Sequence, residues 1–389
     1  MYSSSTQDQW RKPGCGHWRL PVLLVLLLLL QGCETAAYYT QAASGQMRIL
    51  AARQPIDNIA ADPATDAKLQ QQLALVQSIR GYAAGELRLP VGRAYGSYVR
   101  LEDEYPVWNV LAAPEFSLKP KRWCYPIVGC ASYRGYFRKA SAQRKAQQLA
   151  AAGYDVYLGP VPAYSTLGWF DDPVMSSFVH WPPERLAALL FHELAHRRVY
   201  LSGDTQFNES FATAVAQLAL PDWRRRQGID GPAADRIAEA RAVNALMMTA
   251  RRQLQQVYQS DLPEEIQRRQ KDATLARLRH CYRTLAADWS YPDRYRAYID
   301  KTNNATLALV SEYQSRVPAF EELFRRSGGW EDFYRQAEQL GELDQAARNR
   351  RLDALAAAAQ DSSRKVTGPS FSSETCMSAA NTPQATGDN

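Results

Sequence analysis

The spacing of apolar positions changes character along the chain. Over residues 64–88, Leu69, Leu73, Leu75 and Ile79 fall near one face at helical spacing, which predicts a helix, and residues 38–54 share a helical composition. From Leu89 to Gly168 aromatic and β-branched residues alternate with Pro and Gly, as in Tyr95-Gly96-Ser97-Tyr98-Val99 and Asp155-Val156-Tyr157-Leu158. That texture predicts strands and turns, interrupted by one helix near residues 140–152. After Pro183 the pattern turns almost wholly helical, with successive candidate helices over 184–200, 209–220, 233–259, 264–287, 304–314 and 320–326. A tail over 362–389, rich in Ser, Thr, Ala, Pro and Gly, predicts disorder. A sheet-rich part at about 89–170 followed by a mainly helical part at about 183–361 gives the α+β class.

The first helix after Pro183 carries chemistry. Its sequence Phe191-His192-Glu193-Leu194-Ala195-His196 puts two histidines at i and i+4, on one face, where both imidazoles can reach one ion. Pro183 suits a first helical turn, and Leu186, Leu189, Leu190 and Leu194 supply the apolar face. Glu193, beside the first histidine, stands where a carboxylate reaches a metal-activated water rather than the metal, the place of a general base. The motif predicts Zn2+ and a zincin-like active-site helix. His180 and His280 read as surface or packing residues.

A catalytic zinc takes three protein ligands and keeps one position open. The positions that would complete a HExxHxxGxxH pattern hold Val199 and Ser202, which excludes that class. Asp204 and Glu209 are the next candidates. Glu209 opens a new apolar-periodic stretch, where a carboxylate is favoured by the helix dipole. Asp204 lies in Ser202-Gly203-Asp204-Thr205, a turn sequence, and remains the rival ligand. Phe207-Asn208-Glu209-Ser210-Phe211-Ala212 resembles the Asn-Glu-x-Phe-Ala segment that carries the third ligand in gluzincin aminopeptidases, which favours Glu209. Only 12 residues separate His196 from Glu209, so the connection must be a compact helix–turn–helix.

The N-terminus changes the expected compartment. Arg11, Lys12 and Arg19 precede an apolar run over residues 20–30, about half the length that spans a bilayer. The run ends in Leu30-Gln31-Gly32-Cys33, which resembles the lipobox of bacterial lipoproteins. That resemblance implies a signal peptide over 1–32, a chain starting at a lipidated Cys33, and a membrane anchor without a spanning helix. Glu34, rather than Asp, follows the cysteine, so an outer-membrane lipoprotein facing the periplasm is expected. In that oxidising compartment Cys124 and Cys130, around a segment containing Pro126 and Gly129, predict a local disulfide, while the partners of Cys281 and Cys376 are open. Of the net charge of +6, these first 33 residues carry +2. The remaining charge is mild and scattered, and no nucleic-acid partner is expected.

Three further segments widen the resemblance. They are Tyr38-Tyr39-Thr40-Gln41-Ala42 with Gly45-Gln46, Tyr125-Pro126 to Gly129-Cys130 with Tyr133-Arg134-Gly135-Tyr136-Phe137, and Val161-Pro162-Ala163-Tyr164-Ser165-Thr166-Leu167-Gly168-Trp169-Phe170-Asp171-Asp172-Pro173. With the zinc motif they make residues 30–330 similar to a family of predicted bacterial aminopeptidases, zinc lipoproteins defined mostly by sequence. The resemblance implies a zinc peptidase, in particular an aminopeptidase, acting on a peptide or protein substrate. By analogy with thermolysin-like enzymes, Tyr164, Ser165 and Leu167 border the cleft as an edge strand. Tyr164 is the expected oxyanion donor, with Tyr295 and Tyr298 as alternatives. No motif marks a group for the substrate's free amine. An envelope endopeptidase with the same chemistry, or a lipoprotein that binds metal or a partner without catalysis, are the competing expectations.

Overall fold

The computed structural model describes residues 37–125, 129–163, 166, 170–229, 233–364 and 373–378. The chain divides at Leu50 into two units. The first is described from residue 37, where helix α1 (37–51) begins. The second unit contains everything that follows.

That second unit opens with β1 (Gln54–Pro55), α2 (Ile56–Ala61) and α3 (Ala67–Gly85). Asp66 caps α3 by accepting from the Leu69 amide at 3.1 Å. Its buried face is Leu69, Leu73, Val76, Ile79 and Ala83, so Val76 takes the inward place expected of Leu75.

The strands follow as expected, in short pieces. Strand β2 (Ser97–Val99) pairs with β1 and, in parallel, with β8 (Val174–Met175). Strand β3 (Val107–Pro114) is the centre of an antiparallel sheet, between β6 (Tyr133–Tyr136) and β7 (Tyr154–Val161). Between them β4 (Trp123–Tyr125) and β5 (Gly129–Ala131) form a hairpin closed by a Cys124–Cys130 disulfide. Helix α4 (Lys139–Ala151) connects β6 to β7.

Helices make up the rest: α5 (Pro183–His196), α6 (Thr205–Arg226), α7 (Ala233–Tyr258), α8 (Glu264–Ala286), α9 (Arg296–Asp300) and α10 (Asn304–Gln314). After them come α11 (Val317–Arg326), α12 (Trp330–Glu342), α13 (Gln345–Arg364) and α14 (Ser373–Ser378). The arrangement is mixed α+β, small sheets and then a helical body. Aromatic packing ties the body together: Phe191 of α5 meets Tyr82 of α3 and Trp223 of α6, and Phe211 of α6 meets Phe320 and Phe333.

Helix α10 lies on the β6–β3–β7 sheet. Its Ala305 joins Leu111 and Ala113 in a buried cluster against which Leu309, Tyr133 and Tyr157 pack. Its first turn is fixed to the sheet. Asn304 Nδ2 donates to the carbonyls of Pro114 (3.1 Å) and Glu115 (2.7 Å), and its amide donates to Asp155 at 2.9 Å. Asn303 adds a bond to the Val156 carbonyl at 3.0 Å.

Within the stretch 362–389, Ser373–Ser378 forms a short helix. This segment is helical because it is tied from three sides: Cys376 forms a disulfide with Cys281, and Gln253 and Arg277 donate to the Met377 carbonyl at 3.0 and 2.9 Å. Met377 is buried in the core between α7 and α8. No helix among the described residues is long and apolar enough to cross a membrane.

Candidate metal centre

Two helix ends and the turn between them build the site. Helix α5 starts on Pro183 and stops at His196, four residues short of the expected 200, and α6 begins at Thr205 rather than Glu209. The turn is held by Asn208, whose Oδ1 accepts from the Leu201 amide at 2.8 Å and whose Nδ2 donates to the Leu201 carbonyl at 2.7 Å. Gly203 takes φ +80°, a left-handed conformation that costs a glycine little. Asp204 is the N-cap of α6, accepting from the Phe207 amide at 3.1 Å. Its other oxygen receives Arg348 Nε and Nη2 at 3.1 and 2.9 Å. Cap and ion pair turn Asp204 away from the histidines, and it is not in the ligand group.

His192, His196 and Glu209 converge on one point. Their candidate donor atoms all lie within 4.8 Å of one another, the one such group among the described residues. Specifically, His192 Nε2 lies 3.2 Å from His196 Nε2 and 3.2 Å from Glu209 Oε2, and His196 Nε2 lies 3.7 Å from Glu209 Oε2. Ligands placed tetrahedrally about zinc at 2.0–2.2 Å sit about 3.3–3.5 Å apart. The triangle therefore has the size of three zinc ligands. Its chemistry agrees, because two imidazole nitrogens and a carboxylate oxygen this close together could hold a metal ion. Burial raises the Glu209 carboxyl, but the charge of His196 and bonds from both histidines outweigh that and hold it well below its usual range. Burial likewise opposes a proton on His196, yet Glu209 wins and draws it upward. Each partner stabilises positive charge in this space.

Glu193 points into the same interior, 8% exposed. Burial raises its pKa, against the charges of His192 and His196. Tyr95 is buried near it, on a backbone with φ +57°.

Two tyrosines that sequence reading missed complete the wall. The Tyr313 ring of α10 stacks on the His192 imidazole, centroids 6.0 Å apart and planes within 16°. Tyr133 opens β6, opposite Leu111 of β3, on the sheet face that α10 covers. Burial, then the charge of Glu209, pushes both phenols well above their ordinary pKa, and both also feel Glu193. They stay protonated and can donate. Neither hydroxyl has a hydrogen-bond partner among the described residues. Tyr133 stands in a segment that carries the family resemblance without any role assigned to it, and Tyr313 had no signal beyond being one of 21 tyrosines.

The other expected residues divide. Tyr164, Ser165 and Leu167 lie outside the described residues, as does Cys33. Tyr295 and Tyr298 pack against the α7–α8 core. His180 and His280 are exposed.

Residues 37–352 match the model of a family described as "Putative aminopeptidase". The chain belongs to that family. No curated protein and no solved structure matches it. Membership implies a peptide substrate, and it gives the His192–His196–Glu209 group a peptidase context.

Proposed function

We propose that the chain is a zinc-dependent aminopeptidase in which His192, His196 and Glu209 hold the metal and Glu193 is the general base. The observation that carries this reading is the convergence of the three donors beside a buried carboxylate that is not one of them. A structural zinc site is usually closed by four protein ligands and has no use for such a base. When bound, zinc supplies a lowered pKa for water and polarisation of the peptide carbonyl. Glu193 then accepts the proton of the attacking water and delivers it to the leaving amine nitrogen, as the C–O bond forms and the C–N bond breaks. Tyr313 and Tyr133 are placed to donate to the carbonyl oxygen as it gains charge.

Hydrolysis of free-amine and N-acetylated peptides tests the reading, with and without chelator, alongside Glu193→Gln. Wild type should cleave free-amine peptides and lose activity with chelator, and Glu193→Gln should fall by about 10²–10⁴-fold while retaining zinc. Zinc binding without cleavage of any peptide would leave a metal-binding lipoprotein. Equal cleavage of blocked peptides would make the protein an endopeptidase.

The location is part of the proposal. Cys33 after Leu30-Gln31-Gly32 supports a lipid anchor that would hold the enzyme on the periplasmic side of the outer membrane. Cys33→Ser should move the protein from the membrane fraction to the soluble fraction of the producing cells. A variant still sedimenting with outer membranes would remove the anchor.

A further inference from the structure

Glu312 is a buried acid at the edge of the metal centre for which the chemistry above has no use. It is 8% exposed and accepts one side-chain bond, from Ser132 Oγ at 2.7 Å. No ion pair compensates it among the described residues. Arg122, the guanidinium whose charge it feels, commits Nη2 to the carbonyls of Cys130 and Gly203, at 3.2 and 3.0 Å.

Its position follows from the helix that carries it. Ala305, Leu309, Glu312 and Tyr313 lie on one stripe of α10 at spacings of three and four, and Ala305 and Leu309 show that the stripe faces the β3 sheet. At the far end of the stripe Tyr313 stacks on His192. Ser132, the bonding partner of Glu312, is the neighbour of Tyr133. Ser210, the residue after Glu209, donates to the Glu312 carbonyl at 2.9 Å and holds this turn of α10 to the ligand-bearing turn of α6. The Glu312 charge is accordingly felt by Glu209 and by both phenols.

An ionised carboxylate buried without a cation is costly, and burial pushes Glu312 up to about 7. Whatever brings a positive charge there relieves the cost. A peptide entering the site carries an obligatory cation at one place, its α-ammonium group, which is two bonds from the carbonyl carbon of the first residue. We propose that Glu312 receives the α-ammonium group of the substrate's first residue, so that the site takes peptides with a free N-terminus. This assignment rests on the metallopeptidase reading above and names its substrate class. An acetylated N-terminus would bring no charge and would leave Glu312 buried and unpaired.

Hydroxamates separate the two layers of the argument, because they bind the metal whatever their N-terminus. Leucine hydroxamate and N-acetyl-leucine hydroxamate would be titrated calorimetrically into the zinc-loaded protein, wild type and Glu312→Gln. Wild type should bind the free-amine form tighter by at least about tenfold, the scale of a charge-assisted bond. Glu312→Gln should bind both forms alike, with the affinity for the acetylated form unchanged within about twofold. Glu312→Met, which removes the buried polar group altogether, should show the same loss and covers the case that the Gln variant folds poorly. A preference that persists in either folded variant, or is absent from wild type, overturns the assignment. Failure of both hydroxamates to bind wild type overturns the metal-centre reading itself, and this assignment with it.

Discussion

Asp204 and Glu209 are carboxylates on neighbouring turns at the start of α6, and the fold gives them opposite tasks. Glu209 faces the two imidazoles. Asp204 caps the helix and pairs with Arg348, a residue 7% exposed. Their alanine variants should therefore fail differently. Glu209→Ala should lose zinc, with stoichiometry falling from about one per chain toward zero. Asp204→Ala should keep zinc but lose about 2–4 kcal/mol in denaturant unfolding, from a missing cap and a buried guanidinium left without its partner. Metal analysis with equilibrium unfolding reads both, and zinc loss in Asp204→Ala alone would reverse the assignment. At this scale His192 and His196 were legible because helical spacing alone places them side by side, and Glu209 through its place at a helix start and the resemblance of its segment. Tyr133, Tyr313 and Glu312 were not, because they reach the site through the packing of α10 on a sheet, which no local pattern records. Tyr164, the candidate nearest the zinc helix in sequence, lies outside the described residues.

Among the elements, existence was easier to read than boundaries. Helix α5 starts where Pro183 predicts, since a proline at the first turn loses no hydrogen bond there. Helix α6 starts four residues before the expected Glu209 because Asp204, read as part of a turn, is its cap. The same side chain ends the turn and begins the helix, so both readings of that segment used correct chemistry. Pro221 marks no helix end, since α6 continues through it to Arg226. Helices α12 and α13 fall in the mainly helical part expected over 183–361 but outside its separate candidate helices, although Gly329 before Trp330 gives a start signal. In the sheet region, composition foretold strands but not their order. Placing β3 between β6 and β7 depends on pairings between residues far apart in the chain. That order is what sets Tyr133 under α10, so the missed topology and the missed aromatic wall of the site are one omission.

For the whole molecule, the two disulfides act at different distances from the chemistry. Cys124–Cys130 closes a hairpin that leads directly into Ser132 and Tyr133. Cys281–Cys376 spans 95 residues and joins α14 to α8, neither of which supplies a metal ligand. Cross-linking such a long segment stabilises chiefly by restricting the unfolded chain, typically by about 2–4 kcal/mol. The tail was unreadable in sequence for the same reason: a short Ser- and Thr-containing segment has no helical strength of its own and gains it from the bond and from Met377 in the α7–α8 core. The double variant Cys281→Ala, Cys376→Ala should lose about 2–4 kcal/mol in urea unfolding while binding zinc with unchanged stoichiometry. Dithiothreitol cannot replace it, since reduction would also open Cys124–Cys130. Loss of zinc in the double variant would mean that the α7–α8 body supports the metal centre, through the core it shares with Leu307 and Val310 of α10. Retained zinc with lowered stability would place this disulfide in the scaffold alone.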